Sequence, residues 1–134
     1  MLTTAPPTSR RAFAALPVTW AVIVLILTLT PAAEMPVTPQ WKLLSFDTAA
    51  HAAVFLLLAV LACFSMGRQQ RFPMLRTHVF WLVLLGCIVF GALIEVLQMT
   101  MNLGRHGEWS DLISDSIGAV LGILGMAALR RWWQ

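Results

Sequence analysis

Apolar residues run along this chain in four long stretches, interrupted only where proline, glycine and charge collect. The first stretch covers about 14–32 and stops at Pro31, Pro36 and Pro39, which cannot continue a helix. The second begins near Asp47, passes through Phe55-Leu56-Leu57-Leu58 and ends near Met66, before Gly67, Arg68, Arg71 and Arg76. The third runs from His78 to about Met101. A polar loop from Asn102 to Ser110 leads into the fourth, from Asp111 to about Leu129, which closes on Arg130 and Arg131. About 20 apolar residues in a helix cross the hydrocarbon core of a bilayer. The pattern therefore predicts an all-α integral membrane protein: a four-helix bundle with spans at about 14–32, 47–66, 78–101 and 111–129. It forms a single domain over residues 1–134, with no internal repeat.

Charge gives this bundle an orientation. Arg10, Arg11, Arg68, Arg71, Arg76, Arg130 and Arg131 fall on one side of four spans, and the opposite side keeps only Lys42 and Arg105. That other side also holds every acidic residue: Glu34, Asp47, Glu95, Glu108, Asp111 and Asp115. Short loops rich in arginine stay in the cytoplasm, so both termini are expected inside, in a cytoplasmic (inner) membrane. The motif Ser9-Arg10-Arg11-Ala12-Phe13 resembles a twin-arginine export signal. The long apolar run Val22–Leu29 and the lack of an A-x-A site favour an uncleaved anchor. Tryptophans fit interfacial belts, with Trp41 and Trp109 towards one face and Trp81, Trp132 and Trp133 towards the other.

Composition agrees: 59% of the residues are apolar and 11% charged, against about 45–50% and about 25% in soluble domains. The net charge of +3 reflects topology, and no nucleic-acid partner is expected. Cys63 and Cys87 lie in apolar runs outside any CxxC or Cys/His pattern, and read as small core residues.

Ionisable residues inside a span are expensive and face a cavity or a partner. Asp47 and His51 share one face of the second helix. Glu95 and Gln98 share a face of the third, extended by Gly91 and Asn102. In the fourth, Asp111 and Asp115 share a face, and Gly118, Gly122 and Gly125 fall within about 80° of it. Small residues at such spacing let a neighbouring backbone approach closely, so Gly91, Gly118, Gly122 and Gly125 are the expected packing positions. Three polar faces then converge near the outer ends, with Arg105 as the cation placed to neutralise them. Two plainer readings compete. Asp47, Glu108 and Asp111 complement the positive ends of helix dipoles, or the whole set is a structural ion-pair network. His78 and His106 sit at membrane boundaries and read as interfacial.

The order Asp47-x-x-x-His51-x-x-x-Phe55, Glu95-x-x-Gln98, Gly104-Arg105 and Asp111-x-x-x-Asp115-x-x-Gly118-x-x-x-Gly122 resembles the VanZ-like membrane proteins. The likeness runs from Asp47 to about Gly125, and the first helix matches only in hydrophobicity. Thr48 stands where the family usually has lysine, and Asp115 where it often has asparagine, so this site is more acidic than usual. The family takes its name from a protein that lowers susceptibility to the lipoglycopeptide teicoplanin at the cell surface. The resemblance thus implies a multi-pass protein of the bacterial cell envelope.

Three functions fit these residues. One is binding of an anionic lipid or lipid-linked envelope precursor through its headgroup, by Asp47, His51, Glu95, Gln98, Arg105, Asp111 and Asp115. A second is a membrane enzyme with His51, Glu95 and Asp115 as catalytic candidates. Asp47, His51, Glu95, Asp111 and Asp115 are then candidate ligands for a divalent cation, although no tight cofactor motif is present. A third is a small proton-coupled transporter, against which stands the apolar inner half of every span. The sequence does not set an oligomeric state.

Overall fold

The computed structural model describes residues 13–34, 37, 46–102, 104 and 108–133, with Ala32 and Trp133 described through their backbone alone. Among these residues the secondary structure is all helical: α1 (Ala15–Leu29), α2 (Phe46–Arg68), α3 (Pro73–Thr77), α4 (Val79–Thr100), α5 (Trp109–Ala128) and α6 (Arg130–Trp133), with a 3-10 turn at Ala32–Glu34. α2, α4 and α5 are long and apolar enough to cross a membrane. At 1.5 Å per residue they measure about 30–35 Å. α1 has 15 residues and measures about 22 Å, less than the hydrocarbon thickness of about 30 Å.

Local chemistry sets the helix ends. α1 stops at Thr30, which is extended, as the residue before a proline tends to be. The Thr28 and Thr30 hydroxyls donate back to the carbonyls of Val24 and Ile26, satisfying groups that lipid cannot. Beyond α2, the Gln69 side-chain amide donates to the Phe72 carbonyl at 2.6 Å, and the Phe72 N–H donates back to Gln69 Oε1 at 2.9 Å. Pro73 then opens α3 at a position where its missing N–H costs nothing. After α4 the chain turns through Asn102 at φ 51° and Gly104 at φ 70°, residue types that tolerate this region.

α2 and α5 run parallel at the centre of the bundle and form its largest interface. Its register follows from two glycines. A Cβ on Gly118 would collide with the backbone carbonyl of Ala52, and one on Gly122 would lie 2.6 Å from the Leu56 carbonyl oxygen. Each helix advances one turn between these contacts, so the two backbones touch directly. Gly125 does not take part: it is exposed, with open space where a Cβ would be. α4 packs on α5 and α2, while α1 lies against α2 and α4. Trp20 Nε1 donates to the Val54 carbonyl at 2.9 Å and ties α1 to α2.

The core holds Val24, Phe55, Leu58, Ala59, Cys63, Val83, Cys87, Ile94, Ala119 and Met126. The other faces carry exposed Val18, Ile26, Leu85, Val89, Leu93, Ile113, Ile117 and Leu124, a surface suited to lipid. Polarity separates along the axis. Arg68 stacks on Phe13 and Phe64, and Arg130 on Phe80, at one end; the carboxylates of α2, α4 and α5 gather towards the other. Trp81 and Trp132 stand exposed at the arginine end and Trp109 at the acidic end.

Candidate functional site

The direct approach of α5 to α2 places the first polar pair. His51 immediately precedes Ala52, the residue under Gly118, and Asp115 lies one turn before Gly118. The side chains meet where the backbones touch: His51 Nδ1–H donates to Asp115 Oδ1 at 2.9 Å, with both residues buried. The other imidazole nitrogen, Nε2, faces Asp111 Oδ2 at 3.8 Å. That gap is too long for a direct hydrogen bond and suits a bridging polar atom.

α4 closes the site from the third side. Gly91 makes room for Asp115, because a Cβ there would lie 3.0 Å from Asp115 Oδ2 and 3.2 Å from Leu112 Cδ1. One turn on, Glu95 Oε2 accepts the backbone N–H of Glu108 at 2.8 Å, capping the start of α5 from another helix. Glu95 also stands within electrostatic reach of His51, Asp111 and Asp115. Gln98 turns the other way: its amide donates to the Thr28 carbonyl on α1 at 2.8 Å. Among the described residues, three buried acceptors, Glu95 Oε1, Gln98 Oε1 and Asp115 Oδ2, find no hydrogen-bond partner. Buried polar atoms nearly always find one, which makes the Glu95 and Asp115 oxygens the open acceptors of the cluster among the described residues.

The structure therefore brings together His51, Glu95, Asp111 and Asp115. Asp47 is exposed one turn before His51, and Gln98 serves the contact with α1. Arg105 and His106, like Lys42 and Trp41, lie outside the described residues. Asn102 and His78 are exposed. Among the described residues, no group of three or more His, Cys, Asp or Glu side chains is arranged to hold a metal ion.

Two features were not anticipated from the chain alone. Thr28, a hydroxyl in an apolar run, is buried, and its carbonyl receives Gln98; the polar residue inside a span was the available signal. The second is a cleft of about 160 Å³ between α4 and α5, lined by Ala92, Glu95, Val96, Met99, Glu108, Trp109 and Leu112. Nothing in helical periodicity announces a cleft between two helices.

Neither the curated proteins nor the solved structures include a match to this chain. The VanZ/LLP1 family model does match, over residues 7–130. The match takes in the first helix as well as the three that carry the polar cluster. With nearly its whole length inside that model, this chain belongs to the VanZ/LLP1 family.

Proposed function

We propose that the protein is a four-span envelope protein of the bacterial inner membrane, whose outer polar cluster binds the headgroup of a membrane amphiphile. In this reading both termini are cytoplasmic and α1, the first helix, crosses the membrane together with α2, α4 and α5. Support comes from the arginines gathered at one end of the bundle. The observation that carries the binding site is the pair of buried carboxylate oxygens on Glu95 and Asp115 beside His51, which have no partner among the described residues. A buried acceptor inside a membrane is costly, and a headgroup bringing hydrogen-bond donors satisfies it. Arg105, in the loop after α4, would contact the anionic part of the same headgroup.

The test is thermal unfolding of protein purified in dodecyl maltoside, with added phosphatidylglycerol or phosphatidylethanolamine. At least one of the two lipids should raise the midpoint of the wild type, and His51→Ala should abolish the rise. An unchanged midpoint with both lipids would remove the binding reading.

A second reading has an observation of its own. Asp115 orients His51 through Nδ1 and leaves Nε2 directed at Asp111, the arrangement of a general base held by a carboxylate. It would serve hydrolysis of a lipid-linked envelope substrate, with or without a divalent cation. Inductively coupled plasma measurement on the purified protein separates the two. A stoichiometric metal that His51→Ala removes would favour the enzyme; metal-free protein that still responds to lipid would favour binding alone.

A further inference from the structure

The cleft between α4 and α5 opens sideways from the bundle near the outer end. Its rims, Val96, Met99 and Trp109, are 50%, 61% and 82% exposed, on faces that a bilayer would cover. Most of its wall is apolar: Ala92, Val96, Met99, Trp109 and Leu112. Two carboxylates interrupt that wall, and they differ. Glu108 is exposed, and its Oε2 accepts the Ser110 hydroxyl. Glu95 is 7% exposed, held by one oxygen to the start of α5, and its Oε1 is buried with no partner among the described residues.

We infer that this cleft binds the primary ammonium group of an amphiphile against the Glu95 carboxylate, with the chain lying along Val96 and Met99. The occupant follows from complementarity. An apolar trough entered from the lipid side takes an alkyl chain, and the mostly buried carboxylate that lines it takes an N–H donor. A second carboxylate beside it makes that donor a cation and disfavours an anion. Trp109 at the mouth adds an aromatic face, which attracts ammonium groups. The volume of about 160 Å³ is below the usual range of about 300–1,000 Å³ for small-molecule pockets. It therefore holds the head and first carbons, and the rest of the chain stays in the bilayer. The inference rests on the proposed headgroup binding and narrows it to one chemical class.

The test compares dodecylamine, dodecyltrimethylammonium and dodecyl phosphate, each added to protein in dodecyl maltoside micelles. The quaternary ion keeps the charge and chain but cannot donate to Glu95. Dodecylamine should raise the unfolding midpoint by about 4 °C or more, a shift typical of ligand stabilisation in a small domain, and the other two should raise it by less than half as much. Glu95→Gln should lose the dodecylamine response. Val96→Trp, which fills the trough from an exposed position, should lose it too while keeping the midpoint of the free protein. Equal responses to both cations, or an undiminished dodecylamine response in both variants, would overturn the inference. Phosphatidylglycerol runs alongside: a response to it without one to dodecylamine would overturn the ammonium assignment and leave headgroup binding standing. Silence towards dodecylamine, phosphatidylglycerol and phosphatidylethanolamine alike would overturn both.

Discussion

His51 and Asp115 are the residues on which the site turns, since each lies on a different helix and each is buried. Leaving a buried polar group without its partner costs about 1–3 kcal/mol. Asp115→Ala and His51→Ala should each lower stability in detergent by that order, and the double variant by less than their sum. A coupling above about 0.5 kcal/mol in a double-mutant cycle is expected for groups in contact; additive effects would mean the pair is a neighbourly accident. The same logic reaches Arg105. If it neutralises the cluster, Arg105→Ala should be partly rescued by Asp115→Asn, and strictly additive unfolding midpoints would return Arg105 to a separate interfacial role. Both His51 and Asp115 were legible in the chain, because ionisable residues inside apolar runs are conspicuous. Which carboxylate the imidazole would meet was not legible. Spacing places Asp47 one turn from His51 on the same helix, but the partner is set by the contact of α5 with α2, and Asp47 stays exposed.

Helices meet according to what their glycines allow. Gly118→Ala should be costly, because the new methyl group would strike the Ala52 carbonyl and push apart the backbones that hold His51 against Asp115. Overpacking of this kind costs about 1–3 kcal/mol, occasionally more. Gly125→Ala meets open space and should leave the protein unchanged or slightly more stable, alanine being about 1 kcal/mol the better helix former. Yields and unfolding midpoints of the two variants in one detergent check the contrast, and equal sensitivity would mean the α2–α5 register is wrong. Periodicity put all three glycines of α5 near the aspartate face, yet it could not separate them. Gly118 and Gly122 face α2; by Gly125 the helix has turned away, and the neighbour that would make the glycine necessary is missing. Gly91 was expected to admit a neighbouring backbone, and what a Cβ there would meet is the Asp115 carboxylate and the Leu112 side chain.

For the molecule as a whole, the helical architecture and the membrane-length helices α2, α4 and α5 were readable from hydropathy alone. The first span is where that reading met its limit. It is expected over about 14–32, but the regular helix ends at Leu29, because Pro31 forces the preceding residue out of helical geometry. The proposed orientation can be checked by cysteine labelling in a background lacking Cys63 and Cys87. Probes at positions 36 and 106 should react from outside and one at position 70 only from the cytoplasm; external labelling at 70 would reverse the topology. The central claim is that the outer ends of α2, α4 and α5 hold an amphiphile's headgroup. It is tested most directly by photolabelling in nanodiscs, with a phospholipid carrying a diazirine on the first carbons of one acyl chain. Binding at the outer cluster predicts that mapped adducts concentrate on the segments around Val96, Met99 and Trp109, and that His51→Ala sharply reduces them. Adducts spread evenly over the lipid-facing residues, and unchanged by His51→Ala, would contradict it.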